Sequence, residues 1–423
     1  MTKLEKLLKE LCPNGVEYKP LWSVTAWDKR FQGVEKEKQA KIINYPVLLA
    51  NNLFALQQPE GNVFLLSTGS ETGWTTEILA GDNLREGEIV SIPWGKADTV
   101  NVKTVIKYYN GKFVTGDNRI MTSLDKNLLD NKFLYYVIVG SNGIDNSFYR
   151  GSGIRHPDMR KVLELTIPVP PLEVQAEIVR ILDNFTELTA ELTAELTARK
   201  KQYEYYRDLL LDFGVHGEAT SECEWRTMGE MFPFIRNGFV GTVTPYYTDA
   251  DNGVRYLQGT NIHNGVISDN EVFYISKEFH EKHKKNELRS DDILMVQSGH
   301  VGECAVVGEK YKGSNCHALI IMSNGGQCDS NFVRYYLQSS HGKRILERIT
   351  TGGTVKHILA SKIKNVTIPF PPIEEQERIV SILDRFDKLC NDISEGLPAE
   401  IEARRKQYEY YRDKLLSFEE VRT

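Results

Sequence analysis

The sequence predicts an α+β fold in which two β-rich mixed domains and two long helices are related by an internal pseudo-two-fold repeat. Three observations predict it: a nine-residue string that occurs twice, apolar residues at helical spacing after each Pro-Pro pair, and short β-branched runs elsewhere. The string KQYEYYRDL begins at Lys201, and KQYEYYRDK begins at Lys406. Identity at this level does not arise by chance, so the chain is an internal duplication.

The composition is that of a globular protein with more than one domain. The chain has 423 residues, of which 41% are hydrophobic and 26% are charged, and its formal net charge is −6. A chain of this length usually divides into several domains. No apolar run reaches the roughly 20 residues of a membrane helix, and the charged start MTKLEKLLKEL lacks the apolar stretch of a signal peptide. We therefore expect a cytoplasmic protein without a membrane partner.

The duplication divides the chain into four parts. Residues 1–165 and 214–366 are variable regions, whereas residues 166–213 and 367–423 are the two copies of a repeated block. The variable regions contain β-branched and aromatic runs separated by Gly, Asn and Asp, a texture typical of strands and turns. We expect strands at residues 88–92, 102–109, 292–296 and 318–322, and helices at residues 128–139 and 331–349.

Each repeated block predicts a long amphipathic helix. In the first block, apolar residues from Ile178 to Leu196 recur at spacings of three and four, which places them on one helix face. Proline ahead of this segment and Glu173 in its first turn are helix start signals. A helix of about 40 residues is about 60 Å long, and its single apolar face needs a partner helix, for which the second copy is the natural candidate. In that copy, Gly396-Leu-Pro398 predicts a kink or a break.

A tandem repeat lies inside the first helix. The tetrapeptide Thr-Ala-Glu-Leu occurs twice between Thr189 and Leu196. Four residues advance a helix by about 6 Å and rotate it by about 40° beyond one turn. The repeat is therefore either a ruler that sets a spacing or a plain helical spacer, and the sequence leaves both interpretations open.

The sequence carries no recognisable catalytic or metal-binding motif. Gly342-Lys343 lacks the upstream glycine of a phosphate-binding P-loop. The Pro-Pro pairs follow Val169 and Phe370, where amino-methyltransferases have Asn or Asp to hold the amine. Cysteine and histidine residues between positions 300 and 328 have spacings that fit no common zinc site. We therefore predict neither a catalytic residue nor a metal site.

Basic and polar side chains of the variable regions are the candidates for DNA binding. Cations neutralise phosphates, whereas Arg, Asn, Gln and His reach base edges. The paired segments Arg155-His156 and Lys356-His357 are the strongest candidates, because each follows a glycine pair in one half of the repeat. The alternative interpretation is a structural turn or a solvated charged face. The further candidates are Lys29, Arg30, Asn118, Arg119, Lys284, Lys285, Gln297, His300 and His317.

The repeated string places aromatic rings beside cations in both copies. Such residues either pack the helices together or bind a protein partner, since Tyr and Arg are enriched at interfaces. The candidates for partner binding are Tyr203, Tyr206, Arg207, Tyr408, Tyr411 and Arg412.

With these motifs the chain resembles the specificity subunit of a type I restriction–modification system, and most closely the type IC subgroup. The motifs that carry the resemblance are Ile167-Pro-x-Pro-Pro171, Glu177-Ile-Val-x-Ile-Leu-Asp183, the Thr-Ala-Glu-Leu run, Arg199-Lys-Lys-Gln-Tyr203 and, in the second copy, Ser394-Glu-Gly-Leu-Pro398. The resemblance implies two target-recognition domains, at residues 1–165 and 214–366, each of which reads one half of a split duplex DNA sequence. It also implies that the two spacer helices form an antiparallel coiled coil, which binds two modification subunits, with restriction–translocase subunits outside.

The resemblance further implies a non-catalytic reader without a cofactor of its own. Partner subunits would contribute S-adenosylmethionine, ATP and Mg²⁺. A self-contained DNA methyltransferase is the first alternative, and binding of S-adenosylmethionine by the isolated chain would distinguish it. A coiled-coil adaptor without a nucleic-acid role is the second, for which no specific duplex binding is expected. No base-reading residue follows from the resemblance, because recognition domains of this family vary.

Overall fold

A computed structural model describes residues 2–69, 73–214, 223–353, 356–391 and 396–421. The chain divides into two compact units, of which the first contains Met1–Glu191 and Glu402–Thr423, and the second contains Leu192–Ile401. Each unit therefore combines one variable region with parts of both repeated blocks. Among the residues that the structure describes, no helix has both the length and the apolar composition that a membrane span needs.

The first unit is built on a mixed sheet of six strands. The strands of the whole unit are β1 (Tyr18–Pro20), β2 (Thr25–Trp27), β3 (Val63–Leu66), β4 (Gly73–Thr75), β5 (Arg85–Pro93), β6 (Lys96–Ala97), β7 (Lys107–Thr115), β8 (Asn118–Ser123), β9 (Tyr149–Arg150), β10 (Ile154–Pro157) and β11 (Thr166–Pro168). The large sheet has the order β2-β8-β5-β7-β3-β4, and only its β3–β7 pair is parallel. Two small antiparallel sheets, β1-β11 and β6-β10-β9, complete the strands.

The helices of the first unit cover this sheet and lead into the repeated block. They are α1 (Lys3–Leu11), α2 (Leu21–Val24), α3 (Ala50–Ala55), α4 (Glu77–Ala80), α5 (Asn131–Val139), α6 (Met159–Leu163) and α7 (Leu172–Leu210). The residues of α7 from Leu192 onward belong to the second unit. Helix α5 begins where the side chain of Asp130 accepts a hydrogen bond from the Phe133 N–H, as an N-cap residue does. Its rings and aliphatic side chains are buried in one core cluster with residues of β5 and α7.

The second unit carries two separate four-stranded sheets. Its strands are β12 (Glu224–Thr227), β13 (Phe234–Asn237), β14 (Tyr247–Thr248), β15 (Gly253–Leu257), β16 (Ile262–His263), β17 (Val266–Ile267), β18 (Phe273–Ser276), β19 (Ile293–Val296), β20 (Cys304–Val306), β21 (Asn315–Cys316), β22 (Leu319–Ser323) and β23 (Thr367–Phe370). The sheet orders are β13-β22-β19-β20 and β14-β18-β15-β21, and the pairs β12-β23 and β16-β17 stand apart. The helices are α8 (Met228–Met231), α9 (Lys277–Lys282), α10 (Ser330–Gln338), α11 (Ser340–Ile349), α12 (Ala360–Ile363), α13 (Ile373–Asn391) and α14 (Leu397–Leu415), whose last residues belong to the first unit.

The duplication extends through the variable regions. The strands β2, β5, β7 and β8 lie in the order β2-β8-β5-β7, and β13, β19, β20 and β22 lie in the corresponding order β13-β22-β19-β20. The small sheets agree in register as well, because Tyr18 pairs with Pro168 and Trp225 pairs with Pro369. The units differ outside this shared part: β3 and β4 extend the first sheet, whereas β14, β15, β18 and β21 form a second sheet. The α+β class and the internal repeat predicted from the sequence are confirmed.

Two predicted elements differ from the structure. Residues 102–104 form a 3₁₀ turn, capped by the Asn101 side chain, so the strand expected at residues 102–109 begins only at Lys107. The helix expected at residues 331–349 is two helices, because the Ser339 side chain caps the second one by accepting from the Gly342 N–H. The predicted break in the second repeated block is confirmed, since α13 ends at Asn391 and α14 begins at Leu397. Ser394 and Glu395 of the family-like motif lie outside the described residues.

A buried glutamine joins each variable region to its spacer helix. In the first unit, Gln175 is completely buried; its Oε1 accepts from the Asp130 N–H at 2.8 Å, and its Nε2 donates to the carbonyl oxygens of Leu128 and Pro170 at 2.8 and 2.7 Å. In the second unit, the equally buried Gln376 accepts from the N–H of Asp329 and donates to the carbonyl oxygen of Pro371. We call these two residues the glutamine anchors. Each links the N-cap of one helix to the Pro-Pro loop before another.

Aspartates strengthen the same junctions. Asp183 accepts from the Tyr136 hydroxyl at 2.5 Å, and Asp384 accepts from the Tyr335 hydroxyl at 2.6 Å. The aspartate of each repeated string acts likewise on the backbone, because Asp413 accepts from the Ser141 N–H and Asp208 accepts from the Ser340 N–H, both at 3.1 Å. The repeated blocks therefore hold the two variable regions by matching contacts.

Replacing Gln175 by Leu should destabilise the first unit alone, by about 3 kcal/mol, because buried backbone groups lose their hydrogen-bond partners. Hydrogen exchange of the peptide at residues 130–139 should accelerate, while the peptide at residues 330–338 keeps its rate. Gln376→Leu should give the reverse pattern, and the exposed control Glu173→Gln should change neither. Equal acceleration in both peptides after either substitution would contradict the separate anchoring of the units.

Candidate nucleic-acid interface

In the first unit, Trp94 contacts two residues that are distant from it in sequence. The guanidinium carbon of Arg119 lies 3.8 Å from the centroid of the Trp94 ring. His156 Nδ1 lies 2.8 Å from the Trp94 carbonyl oxygen, and the centroids of the two rings are 4.8 Å apart. Trp94 follows β5 directly, whereas Arg119 is near the start of β8. Two of the predicted DNA-binding residues therefore meet at one edge of the sheet.

Carboxylates hold the cations of this edge in place. Arg119 Nη1 donates to Asp117 Oδ1 at 2.8 Å, and Lys29 Nζ lies 3.3 Å from the same oxygen. Burial alone would raise the pKa of Asp117, but the hydrogen bond and charge of Arg119, together with Lys29, hold it below its usual value. The carboxylate therefore stays ionised, and Lys29 and Arg119 are positioned before any ligand arrives.

Asp28 is a buried carboxyl group beside this cluster. It is 1% exposed, and its Oδ1 accepts from the Ile120 N–H at 3.1 Å, while its Oδ2 has no hydrogen-bond partner among the described residues. Burial raises its pKa to about 6, although the Ile120 hydrogen bond and the charges of Lys29 and Arg119 act in the opposite direction. The site therefore contains a group that titrates close to neutral pH.

The paired segment Arg155-His156 belongs to a tight hairpin. Strand β10 lies between β9 and β6, so that Ile154 pairs with Ala97 and Arg155 pairs with Lys96. The Arg155 guanidinium forms an ion pair with Asp98. The hairpin thus presents Arg155 and His156 beside Trp94, as a preformed surface.

A cavity opens beside this hairpin. Its volume is about 420 Å³, and its walls include the apolar side chains of Phe54 and Ile154 and the polar side chains of Thr68 and Asp117. Helix α3 closes one side, and the segment after β5 closes the other. No sequence signal pointed to Trp94, Asp117 or Ile154, because their roles depend on which segments the sheet brings together.

The second unit brings together the matching segments. His357 forms bridges with Ser298 and Thr351, and the Ile358 N–H donates to the Gln297 carbonyl oxygen at 3.1 Å. The segment after β19 thus meets the segment Lys356-His357, as the segment after β5 meets Arg155-His156. Gln297, Lys356 and His357 therefore lie at one edge of the second unit.

The remaining candidates of the second unit lie in other surroundings. His317 Nδ1 is 3.4 Å from the Tyr256 hydroxyl, and the ring of His300 is 6.0 Å from that of His263. Lys284 is held by Glu281 and Glu287 at 2.9 and 2.8 Å. Lys285 is exposed.

Two candidates of the first unit have opposite environments. Arg30 is exposed, whereas Asn118 is buried and donates through Nδ2 to the Leu66 carbonyl oxygen at 2.8 Å. Asn118 therefore joins β8 to the end of β3 inside the protein and presents no side chain to a ligand. Sequence reasoning selected it for its amide, which the protein uses internally.

The tyrosines of the repeated string divide into buried and exposed groups. The guanidinium groups of Arg207 and Arg412 lie 5.5 and 5.6 Å from the ring centroids of Tyr203 and Tyr408, an internal cation–π contact. The predicted partner-binding residues Tyr206 and Tyr411 stack on phenylalanines, with centroids 5.9 Å from Phe386 and 5.6 Å from Phe185. The most exposed rings are those of Tyr205 and Tyr410, at 65% and 62%, which the sequence analysis did not select.

The cysteine residues show no metal-binding arrangement. Within the described ranges, no three His, Cys, Asp or Glu side chains converge as metal ligands would. Cys304 and Cys316 are buried, and this burial raises the pKa of both thiols to about 12. They act as core side chains.

Comparisons with known proteins identify the family of this chain. The family model described as the type I restriction modification DNA specificity domain matches residues 60–199 and 221–403. The specificity subunit of the Escherichia coli type I restriction enzyme EcoR124I/EcoR124II is 31% identical over 100% of this chain and 98% of its own length. A putative type I restriction enzyme specificity subunit from Haemophilus influenzae is 35% identical over 79% of this chain and 83% of its own length.

Solved structures have the same fold. The type I restriction–modification S subunit from M. genitalium superposes with a TM-score of 0.57 at 16% identity, over 95% of this chain and 96% of that one. A chain solved in work on complex assembly and conformational transition of the type I restriction–modification system gives a TM-score of 0.54 at 16% identity, over 78% and 82% of the two chains. At this identity the likeness concerns the fold.

The Asp28→Asn substitution should stabilise the first unit at pH 8 by about 2–3 kcal/mol and have little effect at pH 4. The folded-state pKa of about 6 lies above the ordinary value of 3.8, so stability is complete below about pH 4 and is lost as the pH rises through 6. Asn cannot ionise and avoids this loss. Thermal unfolding between pH 4 and pH 8 measures the effect, with the exposed Asp82→Asn as control. A parallel pH dependence of variant and wild type would contradict the buried, titrating carboxyl group.

Proposed function

The chain belongs to the type I restriction–modification DNA specificity family, and we propose that each of its two units reads one half of a two-part duplex DNA target. The observation that supports this proposal is that both units share a strand order and carry a similar site at the same place in it. In the first unit the segment after β5 contacts Arg155-His156, and in the second unit the segment after the corresponding strand β19 contacts Lys356-His357. A duplicated reader suits a target made of two separated parts.

The parts that differ between the units support different half-sites. The shared strands β2-β8-β5-β7 and β13-β22-β19-β20 form a common base, whereas β3, β4 and the sheet β14-β18-β15-β21 are specific to one unit each. A common base positions the reader, and differing loops and strands present different side chains to the bases. We propose residues 1–165 and 214–366 as the target-recognition domains and residues 166–213 and 367–423 as the spacers.

The predicted residues divide into two kinds of contact. We propose that Lys29, Arg30, Arg155, Lys284, Lys285 and Lys356 neutralise phosphates, which supports affinity without reading sequence. We propose His156, Gln297, His300, His317 and His357 as the side chains that reach base edges. Arg119, whose side chain is 7% exposed, supports Trp94 by packing against its ring. Carboxylate partners of several cations limit non-specific attraction, in keeping with the net charge of −6.

We propose that the chain is a non-catalytic scaffold as well as a reader. The relatives named above are specificity subunits of type I restriction enzymes. In this proposal, two modification subunits bind the spacer helices through exposed rings such as Tyr205 and Tyr410, and restriction subunits join the complex. The partners then supply S-adenosylmethionine, ATP and Mg²⁺. Neither a self-contained methyltransferase nor a coiled-coil adaptor is favoured by any feature of the described residues.

Exchange of residues 214–366 for the corresponding region of another family member should alter one half of the recognised sequence and leave the other half unchanged. The reason is that each glutamine anchor contacts its own unit through backbone atoms, which the exchange preserves. Methylation mapping of host DNA by single-molecule sequencing measures the result. Exchange of residues 1–165 is the matched control and should alter only the other half. A change of both halves after either exchange would falsify modular reading.

Arg155→Ala and Lys356→Ala should each weaken binding to all duplexes alike. Each should lower the slope of log affinity against log salt concentration by about one, because one phosphate contact is lost. Titration of the assembled complex with a specific and a random duplex at several salt concentrations gives both quantities. Lys126→Ala is the control, since this exposed lysine follows the far end of β8. An unchanged slope in both variants means that these segments are structural turns only.

A further inference from the structure

An apolar side chain stands exposed at the tip of the hairpin in the first unit. Ile154 is 65% exposed, although it lies between glycines and Arg155 in a segment otherwise made for polar contacts. Single exposed apolar residues are common on protein surfaces, so exposure alone decides nothing. The support beneath Ile154 and the groups around it are what distinguish it.

Backbone hydrogen bonds and glycine conformations define the turn that precedes this side chain. Gly151 and Gly153 have φ values of +111° and +76°, a region that favours glycine. Asp98 fixes the turn from below: its Oδ2 accepts from the Gly153 N–H at 3.3 Å, and its own N–H donates to the Gly153 carbonyl oxygen at 3.2 Å. The same carboxylate pairs with Arg155. The tip is therefore preorganised, and ligand binding does not have to order it.

The space behind the tip is fitted to the isoleucine. A Cβ atom added to Gly95 would lie 3.1 Å from Ile154 Cγ2, so the glycine allows the side chain to rest on the backbone after Trp94. Ile154 also forms part of the wall of the 420 Å³ cavity. The side chain is supported on one side and open on the other, which suits insertion into a partner.

The surroundings indicate nucleic acid as the partner. Arg150 and Arg155 flank the tip, and their side chains are 64% and 37% exposed while each is paired with one aspartate. A guanidinium group has five N–H donors, so both can also donate to phosphates. Trp94, Arg119 and His156 lie directly behind. An apolar tip between cations is the arrangement by which proteins unstack a base step in the minor groove.

We propose that Ile154 is a wedge that inserts at one base-pair step of the first half-site, and so makes recognition depend on how easily that step opens. This inference rests on the proposed function and deepens it. Partial unstacking costs a few kcal/mol, and burial of the isoleucine side chain, worth about 1.5–3 kcal/mol, offsets much of it. Specificity then includes a step that no hydrogen bond reads, because flexible pyrimidine–purine steps open more easily.

The second copy carries a matching residue in sequence. Val355 stands between Thr354 and Lys356, as Ile154 stands between Gly153 and Arg155. Both are β-branched and apolar, and both precede a cation and a histidine. Val355 lies outside the described residues, so the proposal concerns Ile154.

The test uses the assembled complex and a duplex with the target sequence found by methylation mapping. 2-Aminopurine is placed at successive positions of the first half-site. With wild type, fluorescence should rise at one step, because insertion unstacks the probe. With Ile154→Ala the rise should vanish and affinity should fall about tenfold, while the salt slope stays the same. Ile154→Leu should keep most of the effect. The matched control is Ile78→Ala, at a 91% exposed position of α4.

The outcomes separate the wedge from the proposed function. If wild type binds the target no more tightly than a random duplex, the proposed function fails. If wild type discriminates but no probe position brightens, or Ile154→Ala changes neither fluorescence nor affinity, only the wedge is overturned. If Ile154→Ala prevents assembly with the modification subunits, the tip binds protein and the proposal is wrong. A duplex with a mismatch at the step where fluorescence rises should be bound by the Ile154→Ala complex with an affinity closer to that of wild type, because this step is already open.

Discussion

In each unit, one buried side-chain amide must find hydrogen-bond partners, and the remaining structure depends on this constraint. Gln175 and Gln376 are fully buried, and a buried amide without partners is costly. Each finds its partners in the backbone at the start of a helix and in the Pro-Pro loop. The first turns of the spacer helices α7 and α13 are thereby held next to the N-terminal ends of α5 and α10, respectively. Because α5 packs on β5 in the same core, the edge of the sheet that bears Trp94 is fixed as well.

The candidate interface is built from charges that are already satisfied within the protein. Lys29 and Arg119 share Asp117, Arg155 has Asp98, and Lys284 has two glutamates. Such pairs are preorganised, so that a phosphate or base edge replaces or joins an existing partner at little cost in side-chain entropy. They also lower the attraction for arbitrary DNA. A reader that must find one sequence among many benefits from both properties.

The amino-acid sequence was sufficient for the repeat and insufficient for the site. The repeated string, the Pro-Pro pairs and the apolar periodicity predicted the duplication and α7, because these signals are local. The split at Ser339 was missed, since one hydroxyl group that caps a helix is indistinguishable in sequence from one that points to solvent. Asn118 was selected for a base-reading amide that in fact holds β3 to β8. Trp94 and Ile154 were missed because their neighbours come from separate segments, which the sheets β2-β8-β5-β7 and β6-β10-β9 bring together.

The glutamine anchors contact main-chain atoms, and this affects how the gene can recombine. The anchor amides contact main-chain atoms of Asp130, Leu128, Pro170, Asp329 and Pro371; every residue has the carbonyl oxygen, and every residue except proline has the N–H group. A recombination event that replaces the coding sequence between the repeated blocks therefore leaves the anchor contacts intact, although the new region must also supply a partner for Asp384, as Tyr335 does here. The two blocks share similar stretches, such as KQYEYYRD at Lys201 and at Lys406, at which such crossovers can begin. If each unit reads one half-site as proposed, such an event changes half of the recognised DNA sequence in a single genetic step, and subunits bound to the spacers are unaffected.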